Sequence, residues 1–244
     1  MSAIPAEVLG LRVEVLRSIR RTAALHIVGT ELQVRVPQHL GDERVAAILQ
    51  QKRPWIRAKV AELQRLPVYR PRELVSGESF PYLGRNYRLK LQEGHRVGVC
   101  LSSGYLRATV RPTDQGAQRE ARIQQYLQRW YRARALERLQ EKAERYARLI
   151  GVSPAAVSVR NFKARWGSCD SKGRLLFNWH IIKAPHSVID YVVIHELCHL
   201  IHPNHYKDFW RLVTRHDPQC DQHRAWLRLR GSGLLDAAAN GPDR

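Results

Sequence analysis

The most constraining feature of this chain is a short polar motif, His195-Glu-Leu-Cys-His199, set inside an apolar run. Apolar residues precede it from Tyr191 to Ile194, and Leu200 follows it. Residues four apart lie on one face of a helix, one turn above the other. Burying two such imidazoles without polar partners would be costly. The sequence therefore predicts a helix from about Ser187 to Ile201 whose two histidines share a partner.

Two imidazoles on one helix face are suited to binding a single metal ion. Glu196 projects about 60° around the helix from His199, a direction that suits it to holding a water beside the ion. The pattern H-E-x-x-H is typical of zinc-dependent hydrolases. We therefore expect Zn²⁺ on His195 and His199, with Glu196 as the general base.

A third ligand is expected from the turn after this helix. Pro203 ends the helix, and His205 follows at a distance that lets the reversed chain return an imidazole to the metal. His202 is the alternative ligand, although its position in the same helical run as His199 predicts that it points elsewhere. Three imidazoles leave one tetrahedral position for water, whereas a fourth ligand from His202 or His180 would make the site purely structural.

A polar loop separates two predicted strands, Val157–Phe162 and Leu175–Ile182, which are expected to form a β-hairpin. Gly167 in this loop is expected to adopt a positive φ, as tight turns require. In a structural interpretation the loop is only a tight connection beside the helix. In a functional one, Lys163 and Arg165 face the metal and bind an anionic group of the substrate. Alternatively, the second strand lies along the cleft and pairs with an extended peptide.

Together these segments resemble the YgjP-like metallopeptidases, a bacterial group of zincin-type hydrolases. The similarity is close from about Val157 to Asp217 and looser around Leu25–Leu63. It implies a zincin-like α+β fold, in which a small antiparallel sheet accompanies the H-E-x-x-H helix, and it implies a metallopeptidase. It also implies three zinc ligands and one catalytic acid/base. The residues that carry the similarity are Arg165-Trp-Gly-Ser-Cys169, Phe177-Asn-Trp-His180, His195-Glu-Leu-Cys-His199 and Asn204-His205, with His195, His199 and His205 as ligands and Glu196 as acid/base.

The chain is expected to divide into a β-rich N-terminal region with one helix, residues 1–113, and a catalytic region, residues 114–244. Leu25–Val28 and Leu32–Val36 flank a Gly-Thr turn and predict a hairpin. A helix is expected to begin at Asp42 and to break or kink at Pro54. Further strands are predicted over residues 87–91, 97–101 and 106–110.

The predicted catalytic region begins with a long helix from about Gln118 to Ile150, which Gly151 ends. Its apolar residues recur at helical spacing, and its other face is rich in arginine. After the predicted metal-binding turn, two more helices are expected over residues 205–216 and 219–229.

The charge of the chain adds two alternatives to peptide hydrolysis. Lysine and arginine number 41 against 22 acidic residues, which gives a net charge of +19 and attracts anions. One alternative is a metal-dependent nucleoside triphosphate pyrophosphohydrolase, since an activated water serves phosphoryl and acyl centres alike. The other is a nucleic-acid-associated protein that binds through its basic surface, including the arginine-rich helix. The usual association of the motif favours peptides.

The sequence also bears on location. It contains no apolar run of about 18 residues, so no membrane-spanning helix is expected. Met1–Arg20 does not have the pattern of a secretory signal. The four cysteines are scattered and form no C-x-x-C pair, which favours a reducing, cytoplasmic location.

Overall fold

A computed structural model of the protein describes residues 4–28, 30–64, 73–162 and 164–235. The chain divides into two compact units, Met1–Pro67 and Val68–Arg244. Among the described residues, three small sheets and six α-helices are present. The predicted α+β class is therefore confirmed.

The first unit combines one sheet with two helices. Its strands are β1 (Glu7–Val8), β2 (Leu11–Ser18), β3 (Ala24–Val28) and β4 (Glu31–Pro37), in the order β1-β2-β4-β3, and its helices are α1 (Asp42–Gln51) and α2 (Arg53–Gln64). Strands β3 and β4 form the predicted hairpin, although Gly29 of its turn lies outside the described residues. The break predicted near Pro54 is confirmed, because α1 ends at Gln51, with Lys52 as its C-cap, and Pro54 lies in the first turn of α2, where proline is tolerated.

The second unit begins with a sheet that packs on a long helix. The strands are β5 (Ser79–Tyr82), β6 (Arg85–Glu93), β7 (Gly98–Ser102) and β8 (Tyr105–Val110), in the order β5-β6-β8-β7, and the helix is α3 (Gly116–Ile150). Leu106 and Val110 of β8 share one buried core with Ile123 and Leu127 of α3. The division of the chain at residue 67 thus differs from the predicted boundary at residue 113, because this sheet needs α3 to cover its apolar face.

Helix α3 is the longest helix of the second unit, and several other elements pack against it. It buries a single stripe of residues, and it ends as predicted at Gly151, which has a φ of +83°. Two half-buried arginines of the arginine-rich face lie beside this stripe and pair with glutamates one turn further on, Arg134 with Glu137 and Arg138 with Glu141. Nucleic-acid binding by this face stays a prediction. The buried stripe consists of Ile123, Leu127, Tyr131, Ala135, Leu139, Ala143 and Ala147.

The third sheet lies next in the chain and differs from its prediction. Its strands are β9 (Ala156–Arg160), β10 (Gly167–Cys169) and β11 (Arg174–Asn178), in the order β10-β11-β9. Strand β11 pairs antiparallel with β10 and parallel with β9. The expectation of a hairpin between Val157–Phe162 and Leu175–Ile182, and of a purely antiparallel sheet, is therefore wrong. The short strand β10, inside the predicted loop, is the antiparallel partner.

Strand β11 is also shorter than predicted. It ends at Asn178, whose side chain accepts a hydrogen bond of 3.2 Å from the backbone N–H of His180. This cap starts a 3₁₀ helix over Trp179–Lys183, where the sequence predicts strand to Ile182. An asparagine that caps a turn in this way competes with continued strand pairing.

Three α-helices complete the second unit, and all three are predicted. They are α4 (His186–Cys198), α5 (Lys207–His216) and α6 (Cys220–Arg230). Helix α4 is buried on nearly all sides, and it packs against α3, α5, α6 and β10. No helix in the described part of the chain is both long and apolar enough to cross a membrane.

Candidate metal centre

The last turn of α4 places two histidines on one face. His195 lies in that turn and His199 is its C-terminal cap, and their ring centroids are 5.0 Å apart. The spacing of four residues accounts for this proximity. Cys198, between them, is fully buried and packs as a small apolar residue.

The third histidine returns to this face after a tight turn. The backbone N–H groups of Ile201 and His202 both donate to the carbonyl of Cys198, which closes the end of the helix. His205 then lies with its Nε2 atom 3.1 Å from Nε2 of His195. One ring nitrogen from each of His195, His199 and His205 lies within 4.8 Å of the others. We call these three residues the histidine cluster.

His202 has a different position. Its backbone carbonyl accepts a hydrogen bond of 3.0 Å from Nδ1 of His199, and this bond leaves Nε2 of His199 unprotonated when the ring is neutral. Across the described residues, the only group of His, Cys, Asp or Glu side chains close enough to share a metal ion is the histidine cluster.

His180, the other candidate for a fourth ligand, lies elsewhere in the core. Its Nδ1 atom is 3.1 Å from the carbonyl oxygen of Leu234 and 3.0 Å from Nζ of Lys183. Neither His180 nor His202 joins the histidine cluster in the described structure. The arrangement therefore offers three candidate ligands and leaves a fourth position for water or substrate. Such an arrangement is typical of catalytic rather than structural zinc sites.

The donor atoms of the histidine cluster suit a divalent ion. A tetrahedral ion with metal–nitrogen bonds of 2.0–2.1 Å separates its ligand atoms by roughly 3.3 Å, close to the 3.1 Å between His195 and His205. Burial, with the nearby charges of His199 and His205, lowers the pKa of His195 to about 3. The imidazole is therefore neutral at neutral pH, and neutral imidazole is the form that binds metal.

An aromatic ring supports all three imidazoles. The ring centroid of Phe209, a fully buried residue of α5, lies 4.9 Å, 4.5 Å and 4.7 Å from those of His195, His199 and His205. Trp210 stacks on His205 from the outer side. Neither Phe209 nor Trp210 is among the predicted site residues. Helical spacing does not predict the contact between His205 and Phe209, because His205 precedes the helix, which begins at Lys207.

Glu196 lies beside the histidine cluster and is almost entirely buried, with 6% of its surface exposed. Burial raises the pKa of Glu196 to about 8, while the charge of Arg165 and a hydrogen bond from the backbone N–H of Cys169 act in the opposite direction. A carboxyl group that titrates near neutral pH is able both to accept and to release a proton during catalysis.

Gly167 is the reason that Glu196 fits here. A Cβ atom at Gly167 would lie 2.6 Å from Oε1 and 2.7 Å from Cγ of Glu196. The φ of Gly167 is not in the left-handed region, so the expectation of a positive φ is wrong. Glycine is needed for close approach instead, which is a common reason for glycine in a strand.

Two clefts meet at Glu196. The β10 cleft, about 830 Å³, lies between the β10 segment and the end of α4. The α6 cleft, about 360 Å³, lies between α4, α6 and the residues before β10. Both clefts are lined by Arg165, Gly167, His195 and Glu196. Arg165 is therefore at the site, as predicted, whereas Lys163 lies outside the described residues.

Strand β10 is the edge strand of the small sheet on the side of the site. The carbonyl of Trp166 and the N–H of Asp170 bond with β11, so the backbone groups of Gly167 and Cys169 face away from it. The alternative in which Leu175–Ile182 pairs with a peptide is wrong, because β11 lies between β10 and β9 and both of its edges are taken.

Comparison with known proteins identifies a protein family whose model matches most of the chain. A family model described as YgjP-like, metallopeptidase domain, matches residues 21–230. Two solved structures are similar, both of metallopeptidase zymogens. Abylysin of Pyrococcus abyssi has 21% identity and a TM-score of 0.34, over 37% of this chain and 94% of that one. Jannalysin of Methanocaldococcus jannaschii has 15% identity and a TM-score of 0.35, over 40% and 97%. No match was found among curated proteins.

The contact between Gly167 and Glu196 predicts a coupled change in stability. Gly167→Ala is expected to lower the free energy of unfolding by about 1–3 kcal/mol, because its Cβ collides with the carboxyl group. In a Glu196→Ala background most of that cost should disappear. Urea denaturation of the four variants measures the coupling, with Gly233→Ala, which has open space around it, as the control. An equal cost of Gly167→Ala in both backgrounds would contradict the contact.

The pKa of Glu196 predicts a dependence of stability on pH. In the unfolded chain a glutamate titrates at about 4.3, and in the folded, metal-free protein Glu196 titrates at about 8. Between these values the folded state holds a proton that the unfolded state has released. The contribution of Glu196 to the unfolding free energy should therefore fall as pH rises, and level off above about 8.

The variant Glu196→Gln lacks this titration and provides the reference. Urea denaturation of both metal-free proteins from about pH 5 to about pH 9 should show the variant gaining stability relative to the parent up to about pH 8. Glu144→Gln, an exposed substitution on α3, is the control and should follow the parent. A difference that stays constant over this range would mean that Glu196 is ionised throughout.

Proposed function

The chain belongs to the YgjP-like metallopeptidase family, and we propose from this premise that it is a zinc-dependent peptidase whose general base is Glu196. The proposed zinc ligands are the three members of the histidine cluster. The observation that carries the proposal is the buried carboxyl of Glu196 next to three clustered imidazole nitrogens, at the junction of two clefts.

Zinc is the proposed ion because of the donor set. Three neutral imidazoles with one open position are the ligands of many catalytic zinc sites, and hard cations such as Mg²⁺ and Ca²⁺ prefer oxygen ligands. When bound, such an ion supplies Lewis-acid activation of water and of a substrate carbonyl. The hydrogen bond from His199 to the carbonyl of His202 orients one ligand ring, and the packing of Phe209 restrains all three.

Glu196 is proposed to move the proton. Its carboxyl accepts a hydrogen bond from Cys169 and faces the β10 segment across Gly167. In its ionised form it takes a proton from the attacking water, and in its protonated form it gives that proton to the leaving amine. The absence of a side chain at Gly167 allows the carboxyl to take this position.

Strand β10 is the proposed guide for an extended peptide. Its free edge lies along the β10 cleft, and the outward-facing backbone groups of Gly167 and the carbonyl of Cys169 remain for pairing. The N–H of Cys169 is already bonded to Glu196. The general base and the substrate backbone would therefore be held by the same short strand.

Nucleotide hydrolysis is the second candidate, and one observation favours it. Arg165 lines both clefts beside Glu196, and guanidinium groups are well suited to phosphate. The same metal chemistry and the same base would serve a phosphoryl centre. Release of pyrophosphate from nucleoside triphosphates by the zinc-loaded protein, absent from its Glu196→Gln variant, would favour this candidate over the peptidase.

The peptidase proposal predicts a specific effect of removing the base. Glu196→Gln should keep the bound zinc and lower kcat for peptide cleavage by a factor of about 10² or more, because the variant cannot accept a proton. Cleavage of a mixture of quenched-fluorescence peptides measures the rate, and metal analysis of the same samples measures zinc. Glu144→Gln is the control. A variant Glu196→Gln as active as the parent would rule out the proposed mechanism.

A further inference from the structure

The α6 cleft contains an unusual concentration of positive charge next to Glu196. Arg224 and Arg228 lie four residues apart on one face of α6, with the buried Leu227 between them, and Arg165 borders the cleft from the opposite side. Glu196 is the only carboxyl group among the residues that line this cleft. Three guanidinium groups therefore face a space large enough for one side chain.

These arginines lack strong acidic partners. Over the ranges that the structure describes, no carboxylate lies within 4.0 Å of Arg165 or Arg228. Arg224 is 3.9 Å from Asp221, and both side chains are mostly exposed, so this pair contributes little. The arginines of α3 differ, since Arg134 and Arg138 each pair with a glutamate at 2.7–2.8 Å.

Aromatic rings hold two of the three guanidinium groups instead. Arg224 lies 5.0 Å from the ring centroid of Trp210, and Arg165 lies 5.5 Å from that of Phe162. A guanidinium over an aromatic face is positioned while its N–H donors stay available to a ligand. Trp210 also stacks on His205, so Arg224 is fixed relative to the histidine cluster.

The walls of the cleft suit the stem of a side chain. Trp166, Tyr191, Val192 and Leu227 supply apolar surface, and the arginines supply the charged end. A glutamate or aspartate side chain, or the C-terminal carboxylate of a peptide, matches both parts. Guanidinium groups bind carboxylates through paired, charge-assisted hydrogen bonds.

We infer that the α6 cleft is a specificity pocket that binds a carboxylate of the peptide substrate within one or two residues of the scissile bond, through Arg165, Arg224 and Arg228. The inference rests on the proposed peptidase function. The cleft adjoins Glu196 and His195 directly, so a residue held there is close to the bond that is cut. The enzyme therefore prefers acidic peptides.

The test uses a series of quenched-fluorescence peptides with an amidated C-terminus, in which a single glutamate occupies each position in turn. The cleavage rate of each peptide is compared with that of the peptide that has glutamine at the same position. At one position, glutamate should raise kcat/KM about tenfold or more over glutamine, as expected for a charge-assisted bond. The preference should shrink when NaCl rises from about 50 mM to about 500 mM, because salt screens exposed charges. A peptide with a free C-terminal carboxylate distinguishes that source from a side chain.

Variants of α6 assign the preference to the cleft. In Arg224→Gln/Arg228→Gln the ratio of glutamate to glutamine rates should fall to nearly one. Because this ratio is measured within each variant, a general loss of activity cancels. Arg230→Gln, on the same helix but outside the cleft, is the matched control and should keep the ratio of the parent. The substitution Arg228→Glu should shift the preference toward lysine.

The possible results separate the inference from the function on which it rests. Cleavage with a ratio near one in the parent, or a ratio that persists in the double variant, overturns the pocket and leaves the peptidase intact. Absence of any cleavage above that of Glu196→Gln overturns both. Release of pyrophosphate from nucleoside triphosphates that depends on Arg224 and Arg228 would assign the cleft to a phosphate instead of a peptide carboxylate.

Discussion

The site depends on the burial of ionisable groups, because an apolar, buried helix carries them away from water. Helix α4 is buried almost all round, yet its last turn carries His195 and Glu196. Desolvation makes the charged forms of both groups unfavourable, which lowers the pKa of one and raises the pKa of the other. The surrounding structure has to provide partners for both side chains.

The partners come from segments far apart in the chain. Strand β10 supplies the N–H of Cys169 to Glu196, and Gly167 provides the space for that approach. The turn after α4 supplies His205 and the carbonyl of His202. Helix α3 supports α4, because its small buried residues, such as Ala143 and Ala147, lie in the core that also contains α4. A buried polar group is tolerable when such partners are present.

Local spacing made part of this arrangement predictable from the sequence. The four-residue interval within α4 and the position of His205 after Pro203 predict which imidazoles meet, and the long apolar stripe predicts α3. Pairing between distant segments was harder to predict from the sequence. Strand β10 is too short for a periodic pattern, and the parallel pairing of β9 with β11 has no local signal. The role of Gly167 depends on a contact with Glu196, and the grouping of Arg165 with Arg224 and Arg228 depends on how α6 packs.

The histidine cluster as a metal site is tested by the stoichiometry and affinity of zinc binding, measured by titration calorimetry and native mass spectrometry on the metal-free chain. We expect one ion per chain, a loss of affinity of at least about 100-fold in His205→Ala, and a smaller loss in His202→Ala, whose carbonyl remains to orient His199. Unchanged affinity in His205→Ala, or a loss confined to His202→Ala, would contradict the histidine cluster as the metal site.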